Sequence, residues 1–193
     1  MTGSLVEASP LAGVGLHEVV HVGERRLLGE VIRVRGELAT IQVFEDTAGL
    51  ALEEPVEPTG APLHATLGPG LLGTVLDGIG RPLPVLAATL GNFLPPGASA
   101  TMLDPERRWE FEPTRAAGDP VSGGDVLGHL QERAGFVHPI LVPPKVRGTL
   151  AELRRGAYNV TEPIGRLEDG TPLRLAHAWP VRVPRPVQGW QAA

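Results

Sequence analysis

The sequence has no cysteine, which excludes disulfides and thiolate metal sites. Lysine occurs once, at Lys145; the other basic residues are all arginine. That single lysine follows Pro144, so the phosphate-cradling pattern G-x-x-x-x-G-K-[S/T] occurs nowhere in the chain. No apolar run approaches the roughly 18 residues of a membrane-spanning helix. Residues Met1 to Val20 lack the basic start and apolar centre of a secretory leader. With a net charge of −5 there is no basic excess to draw in nucleic acid. These absences lead us to expect a soluble, cytoplasmic protein with no nucleic-acid partner and no direct insertion into a membrane.

What the chain does have is glycine and proline, 25 and 20 residues out of 193. That is nearly twice the roughly 12% of average usage. Both residues break helices, so the composition favours many short strands joined by turns. A hydrophobic content of 42% in regular short runs argues against disorder. The length suits one large domain or two small ones, with room for a proper core.

Gly29 to Pro84 carries several Val/Ile/Leu runs, each closed by a turn bearing Gly or Pro. That pattern predicts a small barrel of hairpins. In the first hairpin Ile32 and Val34 alternate with Arg33 and Arg35. After a turn at Gly36-Glu37, Ala39, Ile41 and Val43 share one face. Period two with one apolar face describes a half-buried strand pair. Leu5-Val6 is expected to supply a first, closing strand. Glu45-Asp46-Thr47-Ala48-Gly49 reads as a turn in which Asp46 or Thr47 caps backbone amides before Gly49. Gly68-Pro69-Gly70 is also a turn, since no Lys-Ser/Thr follows it. Pro84 to Phe93 is the one predicted helix, with Val85, Leu86 and Leu90 at helical spacing and Gly91 as its end.

Leu16-His17-Glu18-Val19-Val20-His21 contains H-E-x-x-H, the zinc-protease motif. A zinc site needs that motif on a helix, where both His side chains sit about 6 Å apart on one face. Here glycines flank the segment and Val19, Val20 and Val22 are β-branched, so a strand is expected. On a strand the two His would share a face about 13 Å apart, beyond the reach of one metal. A zinc hydrolase using His17, Glu18 and His21 stands as an alternative. His64, His129, His138 and His177 show no ligand-like spacing and default to surface or capping roles.

Several words of the first half carry a resemblance. Gly29-Glu30-Val31-Ile32 is followed by Ile41 to Leu50, Glu54-Pro55-Val56 and Thr59-Gly60-Ala61-Pro62-Leu63. Then come Leu67-Gly68-Pro69-Gly70-Leu71-Leu72 and Asp77-Gly78-Ile79-Gly80-Arg81-Pro82-Leu83. In this order they resemble the N-terminal barrel of the catalytic A subunit of V/A-type rotary ATPases. In the second half, Gly118-Asp119-Pro120-Val121 through Asp125-Val126-Leu127-Gly128 resembles the turn-and-strand pattern of biotinyl and lipoyl carrier domains. Gly128-His129-Leu130 and Gly165-Arg166-Leu167 echo one another, which suggests approximate internal symmetry. A carrier would need a Lys in the turn that here reads Gln131-Glu132-Arg133-Ala134-Gly135, and there is none. The A subunit instead has an inserted bulge domain of this barrel-sandwich-hybrid type. Leu141-Val142-Pro143-Pro144, Val146-Arg147-Gly148, Trp179-Pro180-Val181-Arg182 and Pro184-Arg185-Pro186-Val187 match its pattern.

The resemblance implies a mostly β chain. Residues 1–76 would form a six-stranded-type β-barrel and 77–97 a connector with a short helix. Residues 98–178 would form the barrel-sandwich-hybrid bulge, and 179–193 a return strand and tail. It implies a structural crown and a stator-facing element of a complex that couples ATP hydrolysis or synthesis to ion transport. The partners would be the B subunit together with stalk or stator subunits. The catalytic residues, and the ATP and Mg they hold, belong to a part of the parent protein that this chain lacks. No catalytic, cofactor or metal residue is therefore expected here. The turn and ring-contact candidates are Glu45, Asp46, Thr47, Gly49, Gly68, Pro69, Gly70, Asp77, Gly78, Arg81 and Pro82. A stand-alone relative serving as an assembly module is the second reading.

Overall fold

The structure is a computed structural model and describes residues 4–91 and 93–185. Asn92 of the expected helix, and Pro186, Val187 and the tail to Ala193, lie outside the described residues. Backbone contacts divide the chain into two units. The first comprises Met1–Ala65, Val75–Ala100 and Pro180–Arg182; the second comprises Thr66–Thr74, Thr101–Trp179 and Val183–Ala193. The chain is mostly antiparallel strand, as its glycine and proline content requires.

The first unit contains strands β1 (Leu5–Ala8), β2 (Glu18–Val22), β3 (Leu27–Arg35), β4 (Leu38–Val43) and β5 (Val56–Pro62). They form one sheet in the order β1-β4-β3-β2-β5. A further strand, β6 (His64–Leu67), pairs instead with the last strand of the chain. The core is the inward face of the sheet: Val20, Val22, Leu27, Val31, Ala39, Ile41 and Val43 are all at most 1% exposed. Each such aliphatic side chain is worth roughly 1.5–3 kcal/mol of burial, less for alanine. Gly29 lets β3 and β4 close on each other, since a Cβ there would lie 2.7 Å from Ile41 Cγ2.

The first hairpin departs from simple alternation. Ala39, Ile41 and Val43 are buried as expected, but Ile32 and Val34 are 41% and 38% exposed. The register shifts between Val31 and Arg33, and the β2 ladder ends opposite Glu30. Ile32 to Arg35 thus run beyond β2 and pair only with β4 among the described residues.

Helix α1 spans Leu83–Leu90, one residue earlier than expected at its start. Pro84 suits its first turn, and Gly91 ends it at φ 78°, with its N–H donating to Ala87 O. Of the three apolar positions at helical spacing, only Leu86 is buried; Val85 and Leu90 are 48% and 41% exposed. Eight residues give little more than two turns, too few to bury the whole set against one surface.

The second unit holds β7 (Trp109–Pro113), β8 (Pro120–Ser122), β9 (Val126–Arg133) and β10 (Phe136–Leu141). It continues with β11 (Arg147–Leu153), β12 (Gly156–Tyr158), β13 (Pro163–Leu167), β14 (Pro172–Arg174) and all but the last residue of β15 (His177–Pro180). Two four-stranded sheets result, β10-β9-β7-β12 and β14-β13-β11-β8. Adding four to the first three labels of one sheet gives those of the other, and β8 and β12 exchange sheets. This is the internal symmetry that the Gly-His-Leu and Gly-Arg-Leu echo suggests. The chemistry repeats as well. A Cβ on Gly128 would lie 2.3 Å from Glu112 O, and a Cβ on Gly165 would lie 2.3 Å from Glu152 O. Each glycine admits the neighbouring strand at the same point of its half. Phe111, Leu127, Leu130, Leu150, Ile164, Leu167 and Leu173 fill the space between the sheets, each at most 2% exposed.

Candidate functional site

The polar centre of the first unit joins two of the sequence words. Asp77 and Arg81 are four residues apart across a turn. The Asp77 Oδ1 accepts from the backbone N–H groups of Ile79 at 3.1 Å and Arg81 at 2.9 Å, and Oδ2 accepts from Arg81 Nε at 2.6 Å. Asp77 N donates to Arg81 O at 3.0 Å, and Leu76 bridges to Pro82, so the turn is closed at its base. The far end of Arg81 donates through Nη1 to Ala98 O at 2.8 Å and stands 3.7 Å from Glu45 Oε2. Glu45 Oε2 also accepts the Gly97 N–H at 2.9 Å. Burial opposes charge on Asp77, but its hydrogen bonds from the Arg81 amide and guanidinium and from the Ile79 amide outweigh it. The carboxyl is held below its usual range.

Glu45 and Arg81, 36 positions apart, are therefore parts of one network, with Gly97 and Ala98 as a third segment of contact. They flank a cavity of about 290 Å³ whose other walls include His21, Leu28 and Ile79. The following turn behaves as its residues predict. Asp46 Oδ1 accepts the Ala48 N–H at 2.9 Å, Leu50 N donates to Thr47 O at 3.0 Å, and Gly49 takes φ 82°. Gly78 lies within the Asp77–Arg81 turn, and Pro82 is the N-cap of α1. Glu45, Asp46, Thr47, Gly49, Asp77, Gly78, Arg81 and Pro82 all belong to the first unit, whereas Gly68, Pro69 and Gly70 belong to the second. Asp77 and Arg81 direct their polar atoms to each other, to the backbone and, for Arg81, to Glu45. That suits holding a shape better than passing protons.

The H-E-x-x-H segment is a strand from Glu18, and no helix forms there. His17 precedes it with φ 66°, so His17 and His21 do not share a strand face as a continuous strand would require. The Glu18 carboxylate accepts from Gly15 N at 2.8 Å and Gly60 N at 2.7 Å. His17 Nδ1 stands 3.5 Å from Glu30 Oε1, and His21 Nδ1 contacts Arg26 O at 3.4 Å. The three motif residues thus turn to three different neighbours. Among the described residues no group of three His, Asp or Glu side chains is arranged to hold a metal.

Two buried carboxylates escaped the sequence pattern. Glu30 is 3% exposed and receives Arg182 Nε at 2.7 Å and a second donor, Nη2, of the same fork. The Arg182 hydrogen bond holds the Glu30 carboxyl below its usual range against the opposing effect of burial. In the second unit Glu132 is 7% exposed. Its Oε1 accepts the Gly70 N–H at 2.8 Å and its Oε2 contacts His138 Nδ1 at 2.5 Å. Burial works against the Glu132 charge, but these hydrogen bonds prevail and keep its carboxyl low. This fixes the Gly68-Pro69-Gly70 turn to β9 and gives His138 a buried carboxylate partner, where a surface or capping role was expected. Parity was the available signal for Glu132, two positions beyond inward-facing Leu130 on one strand.

Comparison with known families matches residues 1–60 to the ATP synthase alpha/beta family, beta-barrel domain. Residues 100–182 match the ATPsynthase alpha/beta subunit barrel-sandwich domain. The V-type ATP synthase alpha chain of Anaeromyxobacter dehalogenans (strain 2CP-C) is 56% identical over 188 residues, covering 97% of this chain and 32% of that protein. The A subunit of the A-type ATP synthase of Thermococcus kodakarensis is 48% identical over 191 residues, 96% of this chain and 33% of its own length. An A subunit of the A-type ATP synthase of Methanospirillum hungatei is 46% identical over 186 residues, again 96% and 32%. The chain thus spans about a third of the length of the curated relatives it matches. No helix among the described residues is long and apolar enough to cross a membrane.

Proposed function

The chain belongs to the ATP synthase alpha/beta family, in its V/A-type A-subunit branch, and on that footing we propose that it is a mechanical part of a rotary ATPase head. Its barrel takes a place in a crown that holds alternating A and B subunits in a ring. Its barrel-sandwich unit projects outward as the bulge that meets stalk or stator subunits. Its parent complex couples ATP turnover to ion transport. ATP and Mg are held by parts of the parent protein that this chain does not include.

The observation that carries this reading is the succession of a barrel and a barrel-sandwich unit in one chain without a phosphate loop. Phosphoryl transfer relies on a backbone cradle, a Lys and a bound metal to offset the charge on the transferring group. The one Lys here sits between Pro144 and Val146. The closed Glu45–Arg81–Asp77 network supports the same reading, because it stiffens the barrel's exit without leaving a reactive group free. Titration of the chain with Mg-ATP in a calorimeter tests the non-catalytic part. No binding heat is expected, and a saturable signal near one equivalent would overturn it. Sedimentation with the B subunit of the same source tests the ring role, with a joint boundary expected.

A further inference from the structure

We propose that the second unit carries a binding groove for a carboxylate borne on an aliphatic body. The groove has a volume of about 400 Å³, within the usual range for small-molecule sites, and its walls include Leu71, Leu72, Ile140 and Leu175. One wall is the Gly68-Pro69-Gly70 turn region, held in place because Glu132 accepts the Gly70 N–H at 2.8 Å. The polar side chains that line it are His138, His177 and Arg185.

Of these, two are already occupied. His138 gives its Nδ1 to Glu132, and His177 Nε2 accepts from Arg185 Nη1 at 2.9 Å. Burial, reinforced by the adjacent Arg185 charge, holds the His177 imidazole below its usual titration range, which favours the neutral form that accepts that bond. The Arg185 guanidinium carbon also lies 5.3 Å from the centroid of the Trp179 ring, a cation–π contact that helps to hold the group beside the groove. It has no carboxylate partner among the described residues and retains several N–H donors beyond the one given to His177. A planar, pre-positioned and uncompensated guanidinium beside an aliphatic trough recognises a carboxylate whose tail is apolar. A phosphate or a dicarboxylate would instead leave charge against leucine walls. This inference stands on the second unit's own side chains and does not depend on the ring role.

The test is a titration of the whole chain, labelled on its isoleucine δ1 methyl groups, with octanoate. Ile140 lines the groove, and Ile41, in the first unit's core, is the internal reference. Octanoate is expected to move Ile140 saturably with a Kd in the millimolar range, typical of so small a ligand, and to leave Ile41 in place. Octanol, with the same tail and no charge, should bind at least tenfold more weakly. Arg185→Gln should lose at least tenfold in octanoate affinity. Arg174→Gln, an arginine that bonds Thr161 O outside the groove, should lose nothing. Equal binding of octanol and octanoate, unchanged binding by Arg185→Gln, or no saturable shift of Ile140 would each overturn the proposal.

Discussion

The guanidinium of Arg182 forks onto the buried carboxylate of Glu30, 152 positions earlier in the chain. The pair ties the returning segment into the first unit's sheet, within the same compact unit. Arg182→Ala leaves a carboxylate with 4% side-chain exposure without its main partner. We expect the first unit's thermal midpoint to fall by roughly 2–6 °C at neutral pH, read by circular dichroism.

That loss should depend on pH in one direction. The folded Glu30 carboxyl titrates below its ordinary value of 4.5, and the Arg182 hydrogen bond is the main cause. A lowered folded value means that the stabilisation is fully present above about pH 4.5 and is lost as pH falls through the folded value. The gap between wild type and Arg182→Ala should therefore be widest near neutrality and narrow on acidification. A gap that widens in acid would contradict this assignment.

Arg81→Ala removes three contacts at once: to Asp77, to Ala98 O and towards Glu45. The side chain is only 15% exposed, so its partners are left partly buried and unsatisfied. A loss of about 2–3 kcal/mol is expected from urea unfolding, with early proteolytic cleavage near residues 77–82. Arg81→Lys keeps the charge but not the fork, and it should recover only part of the loss.

Gly128→Ala and Gly165→Ala should behave as a matched pair. Each would drive a methyl group to 2.3 Å from a backbone oxygen of the adjacent strand. Both should destabilise the second unit by at least about 2 kcal/mol, since backbone gives way less readily than a side-chain tip. Unequal effects would mean that the two halves of the pseudo-repeat are packed differently.

The H-E-x-x-H segment should take up no zinc. Glu18 is committed to two backbone amides, and His17 and His21 turn to separate partners. Elemental analysis of protein purified without a histidine tag should give less than about a tenth of an equivalent. One equivalent, lost in His17→Ala, would revive the hydrolase reading.

Much of the architecture was legible because it rests on local pattern. Ala39, Ile41 and Val43 alternate and are buried in that order; Trp109 and Phe111 do the same. Gly91 ends the helix, and Asp46 caps its own turn. What was not legible depends on partners far away in sequence. Ile32 and Val34 alternate as well as any core pair, yet β2 stops short of them, and only the register between strands reveals this. The burial of Glu30 and Glu132 went unread: Glu132 had only its strand parity to signal it, and the partners that make both burials tolerable, Arg182 for Glu30 and His138 with Gly70 for Glu132, lie on other segments. The candidate words Glu45 and Asp77-x-x-x-Arg81 were visible singly. Their junction through Arg81 was not, since no local period links residues 36 positions apart.

The most direct measurement is an immunoprecipitation from the source cells with antiserum raised against this chain, read by mass spectrometry. If the chain is the barrel and bulge of a rotary ATPase head, the precipitate contains the B subunit together with stalk subunits of that ATPase in near-stoichiometric amounts. Recovery of the chain without any rotary ATPase subunit would contradict the account and leave its family membership as a statement about ancestry alone.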